Sequence, residues 1–277
     1  MAQAKIARPQ TEQQLIRFAA GKRWRQAGAF LLGWVGFIGI WMIISRFIVG
    51  PFLLPSPLNV GLHMWEVIQT GLFIRHFYIS ILKVFAGFGV AVLIGVPVGY
   101  LMGRSRYWRA FFHDPVIVAG SVPGLTYAVM ALVIFGISFL GPILAVALIS
   151  MPYVAINVAE GIQGVDQKLI AMSRAYHRNE QQILRHVQIP AVMPFVFAGV
   201  RLSFALAWKV EALTEVFGSS SGVGFMMRKE FEDFSIPGIL AWICLFILFM
   251  LFIERFILVR LEQRLFRWRG PGGETQL

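Results

Sequence analysis

The chain has 277 residues, of which 57% are hydrophobic and only 14% charged, with 25 Phe and 8 Trp. Soluble domains carry roughly 25% charged residues, so this composition excludes an ordinary soluble globule, and the length fits several membrane spans of about 20 apolar residues each. The net charge of +11 would suit a nucleic-acid ligand, but the basic residues stand in short clusters between apolar runs, which is how membrane topology is written.

Apolar runs over residues 26–49, 77–102, 115–136, 140–159, 191–215 and 237–259 predict six transmembrane helices. The expected organisation is a basic cytoplasmic tail over 1–25, a six-span domain over 26–265 with a polar segment at 166–190, and a cytoplasmic tail over 266–277. The first run is too long for a signal-peptide core and no small-residue cleavage site follows it, so it reads as a retained span. "GPFLLPSPLNV" then reads as a Pro-rich turn, followed by a short interfacial helix. "GVPVGYLMG" at 95–103 points to a kink or a close helix contact. "ISFLG" between runs three and four reads as a tight helical hairpin around Gly136 and Gly141-Pro142.

The connections carry an uneven charge. Lys5, Arg8, Arg17, Lys22, Arg23, Arg25, Arg104, Arg106, Arg109, Lys168, Arg174, Arg178, Arg185, Arg255, Arg260, Arg264, Arg267 and Arg269 fall on one side. Only Arg46, Arg75, Arg228 and Lys229 fall on the other. The positive-inside rule places the first set, and both termini, in the cytoplasm.

The segment "LIAMSRAYHRNEQQILRHVQIP" therefore faces the cytoplasm. Its apolar positions recur at helical spacing on either side of the polar "HRNEQ", which predicts two short helices. Asp166 is placed to cap the first, Asn179 and Gln182 to form a capping pair on the second, and Pro190 to open span five. On physics alone this is either an amphipathic connector on the membrane surface or a docking element for a cytoplasmic partner.

The segment resembles the cytoplasmic "EAA" loop of bacterial ABC importer permeases, in which Glu-Ala-Ala, three residues, Gly and nine residues precede Ile-x-Leu-Pro. Ala171-Met172-Ser173, His177 and Val187-Gln188-Ile189-Pro190 match that spacing. Ala171 stands where the family has Glu, and His177 where it has Gly. "SVPGLTYAVMALVIFGI" and "PFVFAGVRLSFALAWKVEALTEVFGSSSGVGFMM" resemble the nitrate/sulfonate/taurine/bicarbonate branch, and the likeness extends over residues 55–265.

The resemblance implies an all-α membrane protein of the type I importer fold, and a permease subunit of the bacterial inner membrane rather than an enzyme. It implies a second copy of the chain, a cytoplasmic ATPase dimer and a periplasmic or lipid-anchored solute-binding protein. Ala171, Met172, Ser173, Tyr176, His177, Val187, Ile189 and Pro190 are the expected coupling residues. The implied cargo is a small anion such as a sulfonate, taurine, nitrate or bicarbonate.

No G-x-x-x-x-G-K-[ST] phosphate loop occurs, and "AAGKRW" at 19–24 has neither its spacing nor its hydroxyl. ATP and Mg are thus expected on the partner and no cofactor on this chain. The five histidines have no metal-ligand spacing, and "SSSGVGF" at 219–225 reads as a loop turn.

Within span five, Arg201, Trp208, Glu211 and Glu215 fall on one face at about 100° per residue, with Lys209 elsewhere. They read either as a polar stripe on the translocation path or as buried pairs between neighbouring spans. Lys83 is expected to snorkel at the outer end of span two. The tail "RLEQRLFRWRG" is expected on anionic lipid, and Trp24, Trp34, Trp65, Trp108 and Trp268 at the interfaces. The competing readings are a stand-alone secondary transporter, against which stands the lack of repeated halves or a broken span, and a membrane enzyme, against which stands the lack of a nucleophile or metal constellation.

Overall fold

The computed structural model describes residues 12–265, with side chains from residue 28 onward. The calls on Trp24, Trp268 and the outer parts of both basic tails lie outside the described residues. Every regular element in this range is helical. Among the described residues, five helices are long and apolar enough to cross a membrane, and six if one bent pair counts as a single span.

The chain divides into two compact units, Met1–Leu62 and His63–Leu277. In the first, α1 (Glu12–Ile43) runs into a π-helical turn over Ile44–Val49 and stops at Gly50, whose φ is +87°. The predicted Pro-rich turn follows. Trp41 Nε1 donates to the Pro55 carbonyl at 3.1 Å and Ser45 Oγ to that of Leu54 at 2.6 Å, so the turn folds back on the helix end. The expected short helix is α2 (Pro57–Gln69), which carries the chain across the unit boundary.

The second unit is built on α3 (Leu72–Arg104) packed against α6 (Leu140–Gln163), with α9 (Ile189–Gly218) packed against both. Small residues let these backbones approach. A Cβ on Gly95 would sit 2.9 Å from Val154 Cβ, and one on Gly103 2.7 Å from Ile162 Cβ. At Gly87 and Gly99 it would strike the backbone carbonyls of Ile143 and Ala155. The glycines around Pro97 therefore mark a close helix contact, which in lipid supplies packing that the hydrophobic effect cannot.

The third predicted span is not one helix. It is α4 (Arg106–Ser121) and α5 (Gly124–Phe135), bent by 90°. The cause is local: Pro123 disfavours the α region for the residue before it, and Val122 takes ψ 126°. The bend frees carbonyls that a membrane cannot solvate. Tyr127 donates to the carbonyl of Ala119 at 2.8 Å and Tyr153 to that of Gly120 at 3.2 Å. The expectation of no broken span is thus corrected. The hairpin after α5 turns at Gly136 (φ +61°), while Gly141 and Pro142 lie in the first turn of α6.

Beyond α9, α10 (Val223–Glu232) is a short helix, and α11 (Ile236–Phe252) continues through a π-helical turn at Ile253–Leu258 into α12 (Val259–Leu265). Trp208, Trp242, Phe77, Phe88 and Phe204 form the largest apolar core, joining α3, α9 and α11.

Candidate functional site: the polar segment and the charged ends of span five

Asp166 caps α7 (Gln167–Ala175), accepting from Lys168 N at 2.8 Å. Asn179 and Gln182 form a reciprocal capping box on α8 (Glu180–Ile183), with Gln182 N to Asn179 Oδ1 at 2.7 Å and Asn179 N to Gln182 Oε1 at 3.2 Å. Between the helices the backbone turns at His177, whose φ is +57°. This left-handed region costs an L-residue about 1 kcal/mol or more and a glycine nothing. The position where the EAA pattern carries Gly is therefore one where the fold needs it, and His177 tolerates the strain.

A direct test is available. His177→Gly relieves the strain but loosens the unfolded chain by a similar amount, so thermal stability should stay within about 0.5 kcal/mol of the parent. His177→Val, β-branched, should lose about 1–2 kcal/mol on the same assay.

The second predicted helix does not stop before span five. Through a π-helical turn at Leu184–Gln188, α8 continues into α9 as one helix over Glu180–Gly218. Pro190 is therefore inside a continuous helix rather than at its start. Ile189 N bonds to Leu184 O, five residues back, and this wider turn makes room for a proline ring that would clash with the carbonyl four residues earlier.

Ile170 and Ile183 are buried against Val165 and Val192, which seats the pair of short helices on the ends of α6 and α9. The opposite face is apolar and uncovered: Met172 is 54% and Tyr176 73% exposed, beside exposed Ala171 and Leu169. Ser173 is half-buried and returns its hydroxyl to Leu169 O at 2.8 Å. Val187 and Pro190 are half-buried and Ile189 is exposed. Arg174 Nε meets Glu180 Oε1 at 2.9 Å, a hydrogen bond that holds the Glu180 carboxyl below its ordinary range. A cavity of about 1140 Å³ lies beneath α7 and α8, and its walls include Arg104, Arg106, Arg109 and Arg174. The arginines at the α3–α4 junction and Arg174 of α7 are therefore at the same end of this unit.

The polar face predicted along span five resolves into two clusters about 21 Å apart. Arg201 pairs with Glu254 at 2.8 Å and Glu262 at 3.3 Å, tying α9 to the last helices. Trp208 is enclosed and stacks on Phe246 at 5.5 Å. Glu211 is fully buried beside Glu215.

Glu215 is the centre of the second cluster. Its Oε1 meets Lys83 Nζ at 2.7 Å, and its Oε2 accepts from Ser80 Oγ at 2.8 Å and Gly224 N at 3.0 Å. Lys83 also donates to Ser219 Oγ and to the Ser221 carbonyl, both at 2.8 Å. Lys83 is fully buried, so it does not snorkel. His76 accepts from Gly222 N at 3.1 Å and Ser80 from Val223 N at 2.9 Å, which joins α3 to the first turn of α10. "SSSGVGF" is indeed a turn, and its glycines follow from close approach: a Cβ on Gly222 would fall on the Glu215 carboxylate and one on Gly224 on the Ala212 carbonyl.

Sequence reasoning left His76, Ser80 and Lys83 out of this cluster. The available signal was a lysine on one span and a glutamate on another near the same membrane face, since a membrane interior holds such charges only in pairs.

A multi-span helical subunit with a capped, left-handed helical turn built into the foot of its fifth span is the architecture of an importer permease. The chain belongs to the family described as "Binding-protein-dependent transport system inner membrane component", which matches residues 91–267. It is a multi-pass inner-membrane transport subunit and not an enzyme. It is 31% identical to the "Putative aliphatic sulfonates transport permease protein SsuC" of Bacillus subtilis (strain 168), over 97% of this chain and 98% of that protein. It is 27% identical to the taurine transport system permease protein TauC of Escherichia coli (strain K12), over 83% and 85% of the two chains. Among solved structures, it superposes on an inward-facing MetNI methionine ABC transporter chain with a TM-score of 0.62 at 19% identity, covering 71% of this chain and 97% of that one. This last likeness carries the fold alone.

Proposed function

We propose that this chain forms the translocation pathway of an ATP-driven importer for small sulfonate-type anions. It acts as a homodimer whose α7–turn–α8 elements dock onto two cytoplasmic ATPase subunits. A solute-binding protein delivers cargo at the opposite face, both termini lie in the cytoplasm, and ATP and Mg are held by the partner. The sulfonate assignment rests on the relatives described as aliphatic sulfonates and taurine permeases.

One observation carries the coupling role. The second docking helix, α8, continues into span five as a single helix, Glu180–Gly218, so a displacement of α8 by an ATPase is a displacement of that span. The uncovered Met172 and Tyr176 supply an apolar face for the partner, and the shared end of the arginines in α4 and α7 agrees with the positive-inside orientation. The test is uptake of labelled ethanesulfonate into membrane vesicles containing the chain, its ATPase and its binding protein. Uptake should require ATP and vanish when residues 171–187 are scrambled. Uptake that persists without ATP would instead identify a secondary transporter.

A further inference from the structure

Lys209 is the charge on α9 that the subunit's own packing leaves unexplained. Arg201 is paired with Glu254 and Glu262, and Glu215 with Lys83, while Glu211 is enclosed. Lys209 is exposed, and no carboxylate or other polar group among the described residues meets it.

Its depth makes this unusual. Lys209 lies nine residues before the helix end at Gly218, about 13 Å along the axis. A lysine side chain reaches only about 6 Å, too short to bring its ammonium to the end of the span. An unpaired ammonium facing lipid costs several kcal/mol, so charged residues at this depth face a bundle interior or a water-filled cavity.

The neighbouring backbone agrees. Val210, the next residue, packs against Gly124, where an added Cβ would lie 2.7 Å from Val210 Cγ2. Gly124 is the first residue after the 90° bend, and Ser121, Pro123 and Thr126 around it are exposed. Non-helical backbone at membrane depth is tolerated only inside protein or along a water-filled cavity.

We infer that Lys209 lines the translocation path beside the bend of the broken span and is the point charge that holds the transported anion. An ammonium offers three donors, which suits the three oxygens of a sulfonate. The inference rests on the importer reading above and names the residue that reads the cargo's charge.

Two measurements test it. The first uses a Cys244→Ala background, since Cys244 is the single cysteine. Lys209→Cys in the membrane-embedded importer should react with water-borne, negatively charged methanethiosulfonate ethylsulfonate, and ethanesulfonate should slow the reaction. A thiol at 209 that stays unmodified would overturn the inference whatever the cargo.

The second is uptake. Lys209→Met should lower ethanesulfonate uptake about thirtyfold or more, as expected for truncating one member of a desolvated charge pair. The ATPase should still co-purify and hydrolyse ATP, and Lys209→Arg, which keeps the charge, should retain most of the uptake. Undiminished uptake by the Met variant would overturn the role of Lys209 and leave the importer reading intact. A parent complex that moves no sulfonate would overturn the cargo reading, and with it the sulfonate role of Lys209.

Discussion

Lys83→Met should destabilise the subunit by about 3–5 kcal/mol, because it leaves the Glu215 carboxylate buried without its counter-charge. The same change removes the donor to Ser219 Oγ and the Ser221 carbonyl, so the turn before α10 loses its tie to α3. A thermal-unfolding assay on the detergent-solubilised protein reads the effect. Lys83→Met/Glu215→Gln should be more stable than Lys83→Met alone, because the amide is neutral and its oxygen still accepts from Gly224 N. If Lys83→Met matches the parent midpoint, the pair does not hold these elements together.

Deleting Arg185 should destabilise the foot of span five through Pro190 without turning the docking helices. It removes one residue from the π-helical turn at Leu184–Gln188, which returns the helix to an α register and leaves α8 in nearly the same direction relative to span five, because the wide turn with its extra residue advances about as far round the axis as the α turn that replaces it. Pro190 would then meet the carbonyl ladder, at a cost of about 3 kcal/mol. Adding Pro190→Ala to the deletion should recover that stability. It should also recover ATP-dependent uptake, because α7, α8 and the exposed Met172 and Tyr176 keep their present face. If the double variant is as stable as the parent but does not transport, the wide turn itself is needed for coupling.

Much of this organisation was legible in the residues. Hydrophobic runs and basic clusters located the spans, and the 166–190 segment announced its own boundaries through Asp166 and the Asn179–Gln182 pair. Local chemistry sets such features, so one-dimensional reading reaches them. The bend at Val122–Pro123 was also written locally, but the apolar run continues unbroken through it and hydropathy does not register backbone direction.

Tertiary partnership was the part that stayed hidden. Helical phase put Arg201 and Glu215 on one face, yet phase does not say which neighbour that face meets. The answer came from Glu254 in the π-helical turn after α11 and Glu262 on α12 for the one, and Lys83 on α3 for the other. Lys209, set apart by the same phase argument, stands out only once Arg201 and Glu215 have found their partners and Glu211 is seen to be enclosed.

The central claim is that the α7–turn–α8 element is the contact through which an ATPase moves span five. Placing a photo-crosslinking amino acid at Met172 and irradiating native membranes tests it most directly. The account predicts a crosslink to the ATPase subunit. A crosslink at Met172 to lipid or to a second copy of this chain, with the ATPase captured elsewhere, would contradict it.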